Sequence, residues 1–237
     1  MAPADKTPVA RPASGAVAAF LDKVAATPAV ARGARGRLVF AMDATASRGP
    51  SWAQATNIQA EMFREAATVG TLDVQLVYYR GLLDFGASPW LQTAEAMINL
   101  MRSVSVLEGQ TQILRVMRHA AEEARRGKVN ALVFIGDAME ESADALIGAA
   151  GELALRGVPA FIFHEGGEEP AGSVFRKIAT LTHGAYSQFN AGSAKELRDL
   201  LTAVAVFAAG GRKALTDYGK RTGGAALQLT HRFDTQR

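Results

Sequence analysis

The chain has 237 residues, no cysteine, an apolar fraction of 49% and a formal charge of +3. That length suits one well-buried domain with appendages. The missing thiols exclude disulfides and thiolate metal sites. No apolar N-terminal segment has the pattern of a signal peptide, and the longest apolar run near the C-terminus, residues 203–209, is far short of a membrane span, so a soluble cytoplasmic protein is expected. The charge is uneven: residues 1–37 and 212–237 each carry six Lys/Arg against two Asp/Glu, and the middle carries 14 against 19. The basic ends contain no run of more than two consecutive Lys/Arg and only three aromatics, Phe20, Tyr218 and Phe233, which argues against nucleic-acid binding.

Residues 1–14 are rich in Pro and Ala and are expected to be mobile. From Ala16 to Ala26, Val17, Phe20, Leu21 and Val24 recur at helical spacing, which predicts a short amphipathic helix packed on the main domain. The run from Arg37 to Asp43 reads as a strand buried in a parallel sheet. Ser51 is a candidate N-cap for a helix to about Ala67, with Met62 and Phe63 on it and Trp52 assigned to the core. Asp73 to Arg80 alternates and is rich in strand formers. Gly81 then turns the chain into LLDFGAS, the return arm of a hairpin. Helices are expected over about Trp90–Met101 and Thr111–Arg126, and a second buried strand over Val129–Ile135. Helix Ser142–Leu155, strand Val158–Phe163, helix Ser173–Leu181, strand Ala185–Phe189 and a closing helix Ala194–Ala208 complete the series. The pattern predicts an α/β, Rossmann-like, doubly wound fold: a mainly parallel six-stranded sheet with one antiparallel edge strand and helices on both faces.

Ligands of such sheets bind beyond the carboxyl ends of strands, where the strand order reverses. Two stretches place polar oxygens there. Asp43, Thr45 and Ser47 follow the first buried strand, and period-two alternation would turn all three toward one side. Asp137 follows the second buried strand directly. Small polar residues after a strand also make turns and helix caps, and Thr111, opening a helix, is a candidate cap. Together the set offers two carboxylates and three hydroxyls, hard oxygen donors suited to Mg²⁺.

In order, spacing and strand context these residues resemble the metal-ion-dependent adhesion site (MIDAS) of von Willebrand factor type A (VWA) domains. Asp43-Ala44-Thr45-Ala46-Ser47 matches D-x-S-x-S, Gly109-Gln110-Thr111 matches GGT, and Gly136-Asp137-Ala138 matches TDG. Thr45 keeps the hydroxyl of the usual Ser; Gln110, Gly136 and Ala138 depart from the pattern. The resemblance is closest to free-standing bacterial VWA proteins and covers roughly residues 37–210. It leaves a tail and short helix over 1–36 and a basic extension over 211–237. It implies Mg²⁺ or Mn²⁺ held by Asp43, Thr45, Ser47, Thr111 and Asp137, directly or through water. It also implies a protein partner whose Asp or Glu completes the coordination. Intracellular bacterial relatives further suggest work beside an AAA+ ATPase in assembling other proteins.

Glu140, Glu141, Glu165, Glu168 and Glu169 fall in loops on the same edge. They are candidates for a second cation position near Glu140, for an acidic rim that receives a basic partner, or for a solvated acidic surface. An enzyme is the competing reading, with metal-assisted hydrolysis or phosphoryl transfer in the same crevice and Asp43 as nucleophile. Against it, no Gly-rich phosphate loop with a Lys follows the first strand, and Ser47 has no evident His partner. His119, His164, His183 and His231 show no metal-ligand spacing, and His164 alone lies on the ligand edge. No catalytic residue is therefore assigned. A metal-free scaffold is the third reading. The extension from Arg212 is expected either to dock on the domain beside the N-terminal helix or to grip a partner.

Overall fold

The computed structural model describes residues 15–26, 35–48, 58, 60–62, 64–65 and 72–222. Helix α1 is Gly15–Ala26, and strand β1 is Gly36–Asp43. Strands β2, Leu72–Arg80, and β3, Asp84–Ala87, form the expected hairpin. Helices α2, Ala94–Ser103, and α3, Ile113–Arg126, lead to β4, Ala131–Gly136. Then come α4, Ala143–Leu155, β5, Ala160–Glu165, α5, Ala171–Leu181, β6, Ala185–Phe189, and α6, Ala194–Thr222. The six strands run in the order β3-β2-β1-β4-β5-β6, with β3 alone antiparallel. The order reverses between β1 and β4, and the carboxyl ends of those two strands carry Asp43 and Asp137.

Alternation divides the core in two. Leu38, Phe40 and Met42 of β1, with Val133, Ile135, Phe161 and Phe163, face α1, α2 and α6. Val39 and Ala41, with Leu132, Phe134 and Ile162, face α3, α4 and α5. Both faces of each central strand are buried, so these strands read as continuous apolar runs rather than as half-polar ones. In α1 the four residues at helical spacing are all buried, and Phe20 lies 5.3 Å from Phe163 and 6.2 Å from Phe161, centroid to centroid. Ile58, Ala60–Met62 and Arg64–Glu65 are helical, with Met62 fully buried. The tail 1–14, Ser51, Trp52, Phe63 and His231 lie outside the described residues.

Two elements differ from expectation. Helix α2 begins at Ala94, not Trp90, because Leu91 is still extended and exchanges two backbone hydrogen bonds with Val74, at 2.7 and 2.8 Å. Thr93 then caps the helix by accepting from the Ala96 amide at 3.2 Å. The Trp90 indole is spent elsewhere: it donates to Glu123 at 3.0 Å beneath the Arg37 guanidinium, which lies 3.8 Å from the ring centroid. The closing helix does not stop at Ala208. It bends at Gly211, whose φ of 68° favours glycine, and runs on to Thr222. Leu215, beyond the bend, is buried in the same core as α1, and Tyr218 packs against it. Docking of the extension is thus observed as far as the described residues reach.

If α1 and the end of α6 are integral to the core, truncating either must act globally. Phe20→Ala should cost about 3–5 kcal/mol and Leu215→Ala about 2–5 kcal/mol, while Ala19→Ser on the exposed face of α1 should be silent. Chemical denaturation of the three variants checks this, and a loss below about 1 kcal/mol for Phe20→Ala would show that α1 is peripheral.

Candidate metal centre

Asp43 is the last residue of β1 and has no exposed surface. Its register partner on β2 is Tyr79, also fully buried, so both side chains leave the sheet on the same face. The Tyr79 hydroxyl donates to Asp43 Oδ2 at 3.0 Å, and the Thr45 amide donates to Oδ1 at 2.7 Å. The second bond closes a tight turn led by the Asp side chain, and the chain enters a 3₁₀ turn over Ala46–Arg48. The three residues therefore converge through this turn and not through extended alternation. Thr45 Oγ1 and Ser47 Oγ end 3.1 Å apart, Thr45 nearly buried and Ser47 exposed.

Beside Asp43 runs β4. A Cβ built on Gly136 would lie 3.6 Å from Asp43 Cβ and only 2.7 Å from Phe134 Cζ. A side chain at 136 would crowd the pair, which accounts for Gly where the resembling motif has Thr. Asp137 follows, and its Oδ1 is buried with no hydrogen-bond partner. The backbone of Asp137 is braced from behind: His164, paired with Gly136 across β4 and β5, sets Nε2 3.0 Å from the Asp137 carbonyl and Nδ1 3.0 Å from the Tyr186 hydroxyl. A carbonyl only accepts, so Nε2 carries the proton and Nδ1 accepts from Tyr186. Burial pushes the His164 pKa down and keeps the ring neutral.

Thr111 does not cap a helix. Gln112 precedes α3 and makes no side-chain cap. The Thr111 hydroxyl instead donates to Glu141 Oε2 at 2.6 Å and accepts from the Glu140 amide at 2.9 Å, while its own amide donates to Glu140 Oε2 at 2.9 Å. Glu141 Oε1 also takes the Leu114 amide at 3.1 Å, in the first turn of α3. The two glutamates thus fasten the Thr111 loop to the Asp137 loop. The same loop is tied to the other side of the site by Leu107 N to Ala44 O, 3.0 Å, and by Gln110 N to Gly81 O, 3.2 Å. Gly109 lies so close to Gly81 that a Cβ would fall 2.0 Å from its carbonyl oxygen, so no side chain fits there.

Electrostatically the centre is short of positive charge. Burial, with Asp137 adding repulsion, holds the Asp43 carboxyl above its ordinary value, and hydrogen bonds from Thr45 and Tyr79 only partly offset this. The Tyr79 hydroxyl is pushed up well beyond its ordinary value by burial and then by the nearby carboxylates of Asp43, Glu141 and Asp137. Farther along the rim, Glu169 pairs with Arg176 and caps the Ser173 amide at 2.8 Å, and Glu168 is exposed. His119 is hydrogen-bonded to Gln75 at 2.9 Å, and His183 precedes β6 at the opposite edge of the sheet.

Solved structures share this fold. A von Willebrand factor type A protein from Catenulispora acidiphila superposes with a TM-score of 0.59 at 16% identity, over 73% of this chain and 43% of that one. The chain has the von Willebrand factor type A fold. Proximal thread matrix protein 1 from the mussel byssus, with a zinc-occupied MIDAS motif, matches this VWA fold with a TM-score of 0.56 at 16% identity, over 72% of this chain and 45% of that one. An aerotolerance-related membrane protein from Bacteroides fragilis, carrying multiple mutations to serine, gives 0.54 at 15%, over 70% and 98%. No protein-family model matches the sequence, and none of the curated proteins does. Among the described residues of this chain no helix is long and apolar enough to cross a membrane.

The donor set fits a hard divalent cation. An orphaned, buried carboxylate oxygen on Asp137 lies near a second buried carboxylate that burial disfavours as an anion, with two adjoining hydroxyls. Among the described residues no three His, Cys, Asp or Glu side chains are arranged to hold a metal. The set is therefore two carboxylates with hydroxyls, not a carboxylate cage.

The metal-free protein carries the cost of this arrangement. Asp43→Asn keeps the shape and removes the charge, and should raise the melting temperature in chelator by about 3–6 °C, equivalent to about 1–2 kcal/mol. Because the folded-state pKa of Asp43 is raised, its contribution to stability declines as pH rises from the ordinary carboxylate range through the raised value. The advantage of Asp43→Asn should therefore be full at neutral pH and shrink toward acid. Tyr79→Phe should act oppositely, costing about 1–3 kcal/mol by stripping a donor from a buried carboxylate. Thermal melts across pH read both, and a destabilised Asp43→Asn in chelator would contradict the charge-strain account.

Proposed function

We infer that the protein is a metal-dependent protein-interaction module. Asp43, Thr45, Ser47, Thr111 and Asp137 hold Mg²⁺ or Mn²⁺, directly or through water, and the cation takes a carboxylate from a protein partner. The observation that carries this reading is the unpartnered, buried Asp137 Oδ1 near the buried Asp43 at the topological switch point. The zinc-occupied MIDAS of the mussel protein, on the same fold, supports it. When bound, the cation supplies a Lewis-acidic position for an anionic oxygen.

The chain's own groups do the rest. Thr45 and Tyr79 orient Asp43, His164 fixes the Asp137 backbone, and Glu140 and Glu141 hold Thr111 in place. Binding and not turnover is proposed, since the histidine at this edge is neutral and has both ring nitrogens engaged with the protein. Assembly work beside an AAA+ ATPase in the cytoplasm is the finer form of the proposal, and it rests on the resemblance.

Calorimetric titration with Mg²⁺ and Mn²⁺ tests the reading. Saturable binding is expected in the parent, together with a melting temperature that rises with metal concentration, and neither is expected in Asp43→Ala. Binding that survives Asp43→Ala would place the cation elsewhere. Metal-dependent hydrolysis of a generic phosphoester, lost in the same variant, would favour the enzyme.

A further inference from the structure

The face around this centre has two unlike halves. On the β4–β5 side stand Glu140, Glu165 and Glu168, with no large exposed apolar residue among the described ones. On the β2–β3 side stand Leu82, Leu83 and Leu107, exposed by 69%, 83% and 52%. Single exposed leucines are ordinary, but these three sit on two loops that are joined to each other and to the metal loop. The Gly81 amide donates to the Leu107 carbonyl at 3.4 Å, and a Cβ on Gly81 would lie 3.2 Å from Leu107 Cδ2. The Leu107 amide in turn donates to Ala44 O, between Asp43 and Thr45. The Leu83 carbonyl accepts from Arg115 Nη1 at 3.1 Å, so the turn is held rather than loose. The nearest cations are committed as well: Arg80 to Asp84 and Ser105, and Arg115 over the Phe85 ring.

A partner segment that brings a carboxylate to the centre is repelled more by the glutamate half than by the leucine half, where Asp84 is paired with Arg80 and the two carboxylates Asp84 and Glu108 stand beside two guanidiniums, Arg80 and Arg115. The geometry points to a partner of defined chemistry: a protein segment with an Asp or Glu at the metal and an aliphatic or aromatic side chain a few residues away, seated on Leu82, Leu83 and Leu107. The apolar contact supplies affinity, and the acid supplies metal dependence and register. This rests on the metal reading above and adds the substrate class of the same face.

The test is selection of random dodecapeptides displayed on phage against the immobilised full chain in Mg²⁺, with elution by chelator. Enrichment of an acidic residue accompanied by Leu, Ile, Val, Phe or Met is expected. On Leu82→Ser/Leu83→Ser/Leu107→Ser, which should keep its melting temperature and its response to metal, the apolar preference should vanish, and a peptide selected on the parent should bind about tenfold more weakly. Acidic sequences without apolar preference, or identical sequences from the triple variant, would overturn the inference and leave the metal reading standing. Apolar sequences that resist chelator and Asp43→Ala would overturn the metal reading instead, and the acid requirement with it. Absence of any chelator-released sequence from protein that calorimetry shows to bind metal would also overturn it. So would a dimer seen by sedimentation and abolished by the triple variant, which would assign the face to a second copy.

Discussion

A buried carboxylate, Asp43, set beside a second one, Asp137, whose Oδ1 is also buried, is the constraint around which the rest of the site is built. Asp43 and Asp137 end adjacent parallel strands, β1 and β4, at the one place where the sheet reverses its order. Burial, and then repulsion from Asp137, disfavour the charge on Asp43. An arrangement of this kind persists only if something compensates it, and the chain itself compensates one residue more fully than the other. Asp43 receives two hydrogen bonds, while Asp137 Oδ1 receives none. Asp137 Oδ1 is therefore the position that the proposed cation would engage.

The scaffold makes that imbalance rigid. The strand ends that carry the carboxylates are fixed by register on both sides, Asp43 against Tyr79 and Gly136 against His164. The loops that carry the candidate donors are tied to one another or to the sheet: Leu107 to Ala44, Thr111 to Glu140 and Glu141, and Asp137 to His164 of β5. Oxygen donors preorganised in this way lose little entropy on binding an ion.

The fold was largely legible from the sequence because both of its signals are local: apolar runs for strands buried on two faces, and helical spacing for the rest. Where the reading missed, a distant partner decided. Leu91 stays extended because Val74 offers it a bridge, and α6 continues because Leu215 finds a core across the bend at Gly211. The five candidate site residues stood out because carboxylates and hydroxyls after apolar strands are visible in one dimension. Tyr79 was hidden within an ordinary alternating strand, and only its register opposite Asp43 gives it a role. The tasks of Glu140 and Glu141 were equally hidden, since a pair of acids after a strand reads as a rim and not as a brace on Thr111, about thirty residues away in sequence.

That brace bears on the chemistry of the hydroxyl it holds. A hydroxyl has one proton and two lone pairs. In Thr111 the proton goes to the Glu141 carboxylate and one lone pair takes the Glu140 amide, which leaves one lone pair uncommitted. Donation to an anion shifts electron density onto the oxygen, as carboxylates behind metal-bound histidines raise the basicity of those ligands. A Thr held so would make a stronger neutral donor to the proposed cation than a free one, without placing a third negative charge on it. In the proposed ligand set, two charged and several neutral ligands would leave a divalent cation electron-poor enough to attract a further carboxylate. The glutamates behind Thr111 therefore serve the centre best by staying one bond away from it.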